Sequence, residues 1–535
     1  MDKKKLTVLI LLALAQFILV LDTTFMNVAI STLVKDLHTT VTSVQGAIAF
    51  YSLVMAAFMI GGAKIGDIIG RKKAFIIGLI IYGAGALITT FSQNVQMLMF
   101  GWSFLEGIGA ALIIPAMVTM VVSNFAAGTE RIKAYGILAA ISAIGAALGP
   151  IIGGFLTTYI SWRLGFFSEL FIVLYILINH KKINDAVINL VNKKFDYFGF
   201  LLSVVGLATI VVGILMANTY GLIHARTAFV LKGTTLIQPG GLAPTIWLIL
   251  IGLVFLILFI DWEIWQTKKN KATLVDPKIF KVREVTFGVL TNLFNQFILA
   301  GVIFAISMVA QIVLEYNAFS SGLLILPLSI SVLIVALLGG KLAKRFYPKS
   351  LIQVGLFLVV LGTVVLGILI YKNQNTDHFI SGLVIIGAGI GLVASQLSNT
   401  IQSSVPIEKS NEASGINSTF QYLGSSMGTA ICGVLIISIF AGASIDLVNK
   451  SSVFNTSQKK QISGYFETKA QTVSNAQLDQ YLSSSNVPEN GKNELLAINN
   501  QAENKGIVAT LIALAILGSL GLITSSFLPK KKITT

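Results

Sequence analysis

The chain has 535 residues, of which 55% are hydrophobic and only 11% are charged. A soluble domain could not cover so much apolar surface, so this composition excludes most soluble classes and indicates a polytopic membrane protein. The net charge of +15 does not indicate nucleic-acid binding, because the basic residues cluster in short segments between apolar runs. The only cysteine, Cys432, leaves no partner for a disulfide or a thiolate metal site, and we expect no metal.

Apolar runs of about 17 to 25 residues predict membrane-spanning helices. The first run follows MDKKK without a small-residue cleavage site, so we interpret it as a helix and not as a removable signal. The sequence predicts an all-α integral membrane protein with fourteen spans, at about 6–29, 44–63, 74–92, 96–122, 133–158, 163–180, 197–219, 244–265, 285–313, 319–340, 351–371, 379–402, 414–445 and 506–528.

The basic residues predict how these spans are oriented. Most of the 38 Lys and Arg residues lie in alternate loops and near both ends of the chain. Loops rich in Lys and Arg remain in the cytoplasm, so we predict that both termini are cytoplasmic.

Two glycine-led basic segments follow spans 2 and 10, at 61–73 and 339–350. Related segments at corresponding places are typical of two homologous bundles. We therefore predict an N-terminal six-helix bundle at 1–196, two inserted helices with an outer loop and a cytoplasmic linker at 197–284, and a C-terminal six-helix bundle at 285–535.

Two outer segments are not predicted to span the membrane. In 220–243, apolar and polar residues alternate around Lys232 and Gly233, which predicts a small β-hairpin. Residues 446–505 are rich in Asn, Ser, Gln and Lys and form a large outer loop that we expect to be partly helical. The alternative to a function for this loop is a solvated segment with no part in transport.

Three carboxyl groups lie inside predicted spans, where a charged side chain costs about 2.5 to 3.5 kcal/mol at the helix centre. Glu106 lies near the middle of span 4, Asp22 in the outer half of span 1 and Glu169 inside the outer end of span 6. We interpret them as candidate proton- and substrate-coupling residues. The alternatives are an Asp22 bonded to the two threonines that follow it, and a Glu169 that is exposed to water or reached by Arg163.

Spans of the second half offer amides instead of acids, and these are candidates to line a polar cavity: Asn292, Gln296, Gln396, Asn417 and Gln421. The first two share one helical face, and so do the last two. Hydrogen bonds that hold helices together are the alternative role for each of them.

Span 5 contains GAALGPIIGG, from Gly145 to Gly154. Gly145, Gly149 and Gly153 lie on one helical stripe, where the missing side chains allow a second helix to approach closely. Pro150 removes a backbone donor and bends the helix. We interpret the segment as a tightly packed contact between two halves of a transporter, and an ordinary packing seam is the alternative.

A short cytoplasmic turn between spans 2 and 3 holds Asp67, Gly70, Arg71 and Lys72. Gly70 permits a tight turn, and Asp67 suits the positive end of the next helix. A latch between helices, formed by Asp67 and Arg71, is a further hypothesis for this turn.

The sequence contains no Ser-His-Asp set, HExxH, Walker A or dinucleotide motif in a plausible context. We therefore predict that the protein is not an enzyme and needs no cofactor. Without an ATPase motif, uphill transport would draw on an ion gradient.

Together these segments resemble the major facilitator superfamily, and within it the fourteen-helix drug:proton antiporter branch, which includes efflux proteins for quaternary ammonium compounds. The segments that carry the resemblance are LDTTFMNVAI (21–30), AKIGDIIGRK (63–72), GAALGPIIGG (145–154), DPKIFK (276–281), GLLILP (322–327) and EASGINSTFQYLG (412–424).

The resemblance implies a site role for Asp22 and Asn27 in span 1, with Asn27 as a candidate cavity residue. It implies that the turn from Asp67 to Lys72 is a gating motif and that Gly145, Gly149, Pro150, Gly153 and Gly154 form the antiporter motif.

Span 4 departs from the family pattern. Ser103 stands where the family has arginine, and Glu106 stands where it has glutamine. Many relatives have asparagine at the position of Glu169. The resemblance therefore implies proton-coupled efflux without assigning the role of the missing arginine to any residue here.

From these features we expect a monomeric secondary transporter of the cytoplasmic membrane, with two bundles that rock around a central cavity. It would expel lipophilic, cationic drugs or toxic compounds by alternating access, in exchange for protons. Its partners would be a small-molecule substrate, protons and membrane lipids, and not nucleic acid. The alternatives are an exporter of a lipid or endogenous metabolite and a non-transporting membrane sensor.

Overall fold

A computed structural model describes residues 3–125, 129–185, 194–231, 234–343, 345–372, 378–406, 409–469, 475–484 and 488–530. Within these residues, fourteen helices are long and apolar enough to cross a bilayer, and each coincides with one predicted span. The predicted all-α membrane architecture is therefore confirmed.

We number the crossing helices α1 to α14. Their bounds are Lys3–Val28 (α1), Val41–Ile69 (α2), Arg71–Thr90 (α3), Val95–Leu98 continued by Met99–Glu106 and Gly107–Asn124 (α4), Thr129–Tyr159 (α5), Arg163–Asn179 (α6), Tyr197–Tyr220 (α7), Pro244–Lys268 (α8), Arg283–Met308 continued by Val309–Val313 (α9), Ala318–Leu342 (α10), Pro348–Lys372 (α11), Phe379–Gln402 (α12), Ser410–Lys450 (α13) and Glu489–Ser526 (α14).

A chain that crosses a bilayer fourteen times returns to the side on which it began. We call this side the terminal face and the other the opposite face. A short helix at Ile30–Asp36 follows α1, and short 3-10 helices lie at His180–Lys182 and Pro277–Lys281.

Short polar side chains fix where several crossing helices begin. Thr40 accepts a hydrogen bond from the backbone of Ser43 at 3.2 Å, and Asn317 accepts one from the backbone of Ser320 at 2.8 Å. Each bond satisfies a backbone donor that a helix start would otherwise leave unpaired. Gly70, with a φ of 101°, forms the corner between α2 and α3.

The predicted hairpin is confirmed on the opposite face. Strands β1 (Phe229–Leu231) and β2 (Thr234–Ile237) pair antiparallel, with Leu231 opposite Thr234. The predicted turn residues Lys232 and Gly233 lie outside the described residues.

The predicted outer loop at 446–505 contains more helix than expected. Helix α13 continues to Lys450 and α14 already begins at Glu489, while two more helices occupy Thr456–Lys469 and Asn475–Ser484. These segments are polar, so hydropathy alone does not separate them from a loop. Residues 470–474 and 485–487 of this loop lie outside the described residues.

Helix contacts arrange the chain around two seams. Helix α5 packs against α1 and also against α10, while α2 packs against α13. Helices α7 and α8 pack on each other, and α7 also contacts α2 and α13. Thus α2–α13 and α5–α10 join the N-terminal half (α1–α6) to the C-terminal half (α9–α14). The division of the chain at 196 and 284 stays a prediction.

Candidate functional site

The three predicted carboxyl groups lie in one region of the N-terminal half. Asp22 is on α1, Glu106 on α4 and Glu169 on α6, and their exposed fractions are 0%, 0% and 2%. Neighbouring hydroxyl and indole groups come from α2, α3 and α4. The site is therefore assembled by side chains from five of the first six crossing helices.

Each carboxyl group has a polar neighbour within hydrogen-bonding distance. Trp102 Nε1 donates to Asp22 Oδ1 at 2.8 Å, and Tyr82 Oη donates to Glu169 Oε2 at 2.9 Å. Glu106 Oε1 lies 3.2 Å from Thr89 Oγ1. The second oxygens of Asp22 and Glu106 have no hydrogen-bond partner within the described part of the chain.

Two buried tyrosines connect these groups. Tyr51 stacks on Trp102 with ring centroids 4.8 Å apart and planes 8° apart, which holds the indole over Asp22. Both Tyr51 and Tyr82 face Asp22 and Glu106. We call Asp22, Glu106, Glu169, Tyr51, Tyr82 and Trp102 the carboxyl cluster.

Three alternatives considered for the acids are wrong. Thr23 and Thr24 donate to backbone oxygens of their own helix and not to Asp22. Arg163 does not reach Glu169, because its Nη1 lies 3.3 Å from Asp36 Oδ2 and its Nη2 donates to the Ser92 carbonyl at 2.8 Å. Glu169 is buried, so it is not a water-exposed residue either.

Helix α4 changes form where it carries the site. Met99–Glu106 is a π-helical segment, in which backbone hydrogen bonds span five residues instead of four. Glycines permit α3 to approach closely here: a Cβ on Gly85 would lie 2.7 Å from Glu106 Cγ, and a Cβ on Gly109 would lie 2.7 Å from the Tyr82 nitrogen. The close α3–α4 contact therefore sets the position of Glu106 beside Tyr82.

Sequence reasoning missed Tyr51, Tyr82, Trp102 and Thr89. Aromatic and threonine side chains inside an apolar run add to its hydrophobic signal, so nothing in their spacing separates them from core residues. The π-helical segment has no sequence signature in this span. Only the packing of helices shows that these side chains face the acids.

The glycine motif of α5 lies between α1 and α10. Gly145 faces Val20, Gly149 faces Leu21 and Thr24, and Gly153 faces Phe25, all on α1. On another side of α5, Gly154 meets the backbone of Ala318 and Phe319, while Gly322 meets the backbone of Pro150. Leu21 and Thr24, which Gly149 contacts, lie on either side of Asp22 in the chain. Helix α5 therefore joins the region of the carboxyl cluster to the seam between the halves.

The turn between α2 and α3 is held inside the N-terminal half. Arg71 is buried, pairs with Asp67 and donates from NH1 to Thr119 Oγ1 of α4 at 2.9 Å. The backbone nitrogen of Lys72 donates to Asp185 Oδ1 at 3.1 Å, so Asp185, which sequence reasoning missed, caps the start of α3. A gating role for Asp67, Gly70, Arg71 and Lys72 stays a prediction.

Two hydrogen bonds of the predicted cavity amides join different helices. Asn292 of α9 donates to Asn417 of α13 at 2.9 Å, and Gln396 of α12 donates to the Gly339 carbonyl of α10 at 3.0 Å. These bonds fit the alternative of hydrogen bonds that hold helices together. Gln296 and Gln421 are half-buried, while Asn27 donates to Thr23 of its own helix at 3.1 Å. A role in lining a cavity stays a prediction for all six amides.

Polar contacts join the two halves towards the opposite face. Gln311 at the end of α9 accepts from the Ser31 nitrogen at 2.8 Å and donates to the Asn27 carbonyl at 3.0 Å. Gln45 of α2 donates to the Thr429 carbonyl of α13 at 3.0 Å. These contacts hold the two halves together on this side of the seam.

On the terminal face, the DPKIFK segment is fixed to the start of α13. Lys409 Nζ contacts Asp276 Oδ2 at 2.6 Å, and the backbone of Asp276 donates to Glu412. Partial burial acts to raise the pKa of Asp276, but the bonds from Lys409 and the Lys278 backbone outweigh it and hold this pKa below its ordinary value.

A model of the Major Facilitator Superfamily matches residues 12–181 and 193–429 of the chain. The chain belongs to the Major Facilitator Superfamily. It is therefore a multi-pass membrane transporter and not an enzyme.

Several curated members of the superfamily are similar over most of their length. The chain is 27% identical over 432 residues to the multidrug efflux pump LfrA of Mycolicibacterium smegmatis, covering 81% of each protein. It is 27% identical to the cephamycin export protein CmcT of Amycolatopsis lactamdurans, covering 79% of this chain and 84% of that one. With the riboflavin transporter RibZ of Clostridioides difficile the identity is 25%, covering 80% and 87%.

Solved transporters share the fold at low sequence identity. A bacterial homologue of the human lysosomal transporter Spinster superposes with a TM-score of 0.62 at 13% identity, covering 100% of this chain and 99% of that one. The xylose transporter XylE from E. coli superposes with a TM-score of 0.56 at 12% identity, covering 100% of both chains.

Proposed function

We propose that this transporter exports lipophilic, cationic compounds across the cytoplasmic membrane in exchange for protons. The observation that carries the proposal is the carboxyl cluster. Within the described residues, no ion pair joins Asp22, Glu106 or Glu169 to a basic side chain. A buried, ionised carboxylate without a counter-charge is costly, so each acid gains by binding either a proton or a cationic group.

Competition between these two ligands provides the exchange. Protons from outside would bind to Glu106 or Asp22, and the cationic substrate would leave. On the cytoplasmic side the proton would dissociate, and the restored carboxylate would accept the next substrate. Because neither ligand binds well when the other occupies the site, transport of one is coupled to transport of the other.

The packing of α5 supports a link between the cluster and alternating access. Asp22 lies in the stretch of α1 that contacts Gly149 and Gly153, and Gly154 of the same motif contacts α10. A shift of α1 on protonation would therefore reach the seam that the two halves share. The basic loops support a cytoplasmic position for the terminal face, and the opposite face is then the outer one.

The relatives support efflux, and some of them also support a second candidate function, the export of an endogenous metabolite. Two of them are named as a multidrug efflux pump and a multidrug resistance protein. Others are named as a cephamycin exporter, a probable actinorhodin transporter and a riboflavin transporter. An exporter of an endogenous metabolite would be favoured if such a compound, and not a cationic dye, raised the thermal stability of the purified protein. A non-transporting sensor is not supported, because the superfamily consists of transporters.

The test is ethidium transport in proteoliposomes with an imposed pH gradient. Wild-type protein is expected to move ethidium against the proton flow, and Glu106→Gln to abolish this pH-driven movement because the amide cannot exchange a proton. The control is Glu130→Gln, which removes a carboxylate that contacts Lys5 at 2.8 Å on the terminal face, away from the cluster.

Thermal unfolding shows whether each variant is folded. Normal pH-driven efflux by folded Glu106→Gln would eliminate Glu106 as the proton site. Ethidium movement by wild-type protein that ignores the pH gradient would contradict proton exchange itself.

A further inference from the structure

We propose that Tyr82 joins the three carboxyl groups into one unit that shares protons, with Glu106 as its deepest member. Tyr82 is a positioning and relay residue that acts through the acids. The inference rests on the proton exchange proposed above, and the experiment below separates the two.

The hydroxyl group of Tyr82 occupies a central place among the acids. It donates to Glu169 Oε2 at 2.9 Å, and the same side chain faces Asp22 and Glu106. Tyr51 faces Asp22 and Glu106 from the other side. Within the described residues, Tyr82 is thus the side chain that faces all three acids.

Packing holds Tyr82 in this position. Its exposed fraction is 0%, and Gly109 of α4 lies directly against its backbone. Val173 of α6 lies against Gly83, the next residue of α3. With α4 and α6 both in close contact, the ring has no route to solvent, and its hydroxyl must find partners among the buried acids.

The groups that face Tyr82 come from every helix around it. They are Asp22 on α1, Tyr51 on α2, Glu106 on α4 and Glu169 on α6. Within the described residues none of these neighbours is basic. An added proton is therefore held by the acids alone, and their titrations belong to the group as a whole.

A phenol can pass a proton without changing its own charge, because it donates one hydrogen bond and accepts others. In the inward step, the O–H bond of protonated Glu169 breaks as its proton moves to Tyr82 Oη. The phenolic proton moves at the same time to the carboxylate of Glu106. One proton is transferred, Tyr82 remains neutral, and no bond between heavier atoms changes.

Depth in the membrane gives this relay a direction. Glu169 lies six residues from Arg163, where α6 begins at the opposite face, and Glu106 lies eleven residues from the corresponding end of α4 at Val95. At about 1.5 Å per residue, Glu169 is roughly 9 Å deep. Asp22 lies at a similar depth, six residues before the end of its helix at Val28, and Glu106 is the deepest of the three acids. Protons from the outer side would therefore reach Glu169 or Asp22 before Glu106.

The experiment compares Tyr82→Phe with wild-type protein in proteoliposomes. Removing only the hydroxyl should lower pH-driven ethidium efflux about tenfold or more, the scale of a lost proton-transfer group. Ethidium exchange without a pH gradient should fall much less than pH-driven efflux, since it needs no net proton movement. The matched control is Tyr135→Phe, which removes a half-buried hydroxyl that donates to the Val118 carbonyl at 3.0 Å, outside the cluster.

A second variant keeps the test decisive if Tyr82→Phe does not fold. Glu169→Gln is expected to lower pH-driven efflux by a similar factor. Where Tyr82→Phe folds, combining both changes should add no further loss of pH-driven efflux because they interrupt one route. Normal pH-driven efflux in folded Tyr82→Phe, or in folded Glu169→Gln, would overturn the relay but not the proposed function. If Tyr82→Phe lost as much activity in ethidium exchange as in pH-driven efflux, the relay would also be overturned. Wild-type protein without pH-driven efflux would contradict the proposed function itself.

Discussion

Alanine substitutions along α5 give a graded test of how the glycine motif packs. A Cβ on Gly145 would lie 3.3 Å from Val20 Cβ, a tight contact that a small shift relieves. A Cβ on Gly149 would lie 3.0 Å from Thr24 Cβ and 3.1 Å from the Leu21 carbonyl oxygen, and it would strike Thr24 Oγ1. The backbone carbonyl cannot turn away, so α1 and α5 must separate.

Gly153→Ala should be worse, because the ring of Phe25 has little room to move. A Cβ on Gly153 would lie 2.9 Å from Phe25 Cε2. Gly165 of α6 packs against the other side of the same ring, where a Cβ on Gly165 would lie 2.9 Å from Phe25 Cε1. Phe166 also packs edge-on against this ring, with centroids 5.6 Å apart.

Overpacking of this kind costs about 1 to 3 kcal/mol, and replacing glycine by alanine in a helix returns up to about 1 kcal/mol. Gly136→Ala is the matched control, since a Cβ there meets nothing within 4 Å. We expect stability to fall in the order Gly136→Ala, Gly145→Ala, Gly149→Ala, Gly153→Ala, with only the first at or above wild type.

The assay is the midpoint of thermal unfolding in detergent for the four variants and wild type, followed by ethidium efflux for those that fold. Equal midpoints at all four positions would refute the packing of the motif against α1. A Gly136→Ala variant as unstable as Gly153→Ala would do the same.

Three further changes test other contacts. Gly85→Ala should push α3 away from Glu106 and cost about 1 to 3 kcal/mol, so wild-type unfolding and efflux in this variant would argue against the close α3–α4 contact. Gln311→Ala removes two hydrogen bonds between the halves, about 2 kcal/mol in total, and should speed labelling of a cysteine introduced at the opposite face; an unchanged labelling rate would contradict their role in holding the halves together. Because the folded pKa of Asp276 is lowered, its bond with Lys409 stabilises the protein above the ordinary pKa of aspartate and is lost as pH falls through the lowered value. Asp276→Asn should therefore cost about 0.2 to 1 kcal/mol at neutral pH and nothing in strong acid, and an equal cost at both, measured by unfolding, would contradict this.

The membrane architecture could be predicted because each span carries its own signal. A run of about 20 apolar residues can satisfy its backbone only as a helix in a bilayer, so the fourteen spans follow without knowledge of their neighbours. The ends of α13 and α14 were missed because Asp446 to Lys450 and Glu489 to Lys505 are polar helical turns without that apolar signal.

The site could be predicted only in part, because its residues carry different kinds of signal. An acid such as Glu106 stands out inside an apolar run, since a charge is costly there. Tyr82 and Trp102 do not stand out, because aromatic residues are common in spans. Their roles depend on which helix faces meet, and the π-helical turn and the α3–α4 contact that decide this are products of the packed structure.

Arg163 and Asp185 illustrate the same limit for polar contacts. Six residues separate Arg163 from Glu169, which made a pair plausible, but the arginine points to Asp36 instead. Asp185 lies far along the chain from Lys72 and still caps its helix. Contacts of this kind depend on tertiary structure and leave no local pattern.

The most direct test of proton exchange is the release of protons when substrate binds to the purified transporter in weakly buffered detergent solution. A pH-indicator dye should report proton release when ethidium is added at a pH where the carboxyl cluster is protonated, and Glu106→Gln should reduce it. Binding of ethidium without any proton release, across the pH range in which the wild-type protein is folded, would contradict competition between proton and cation at the cluster.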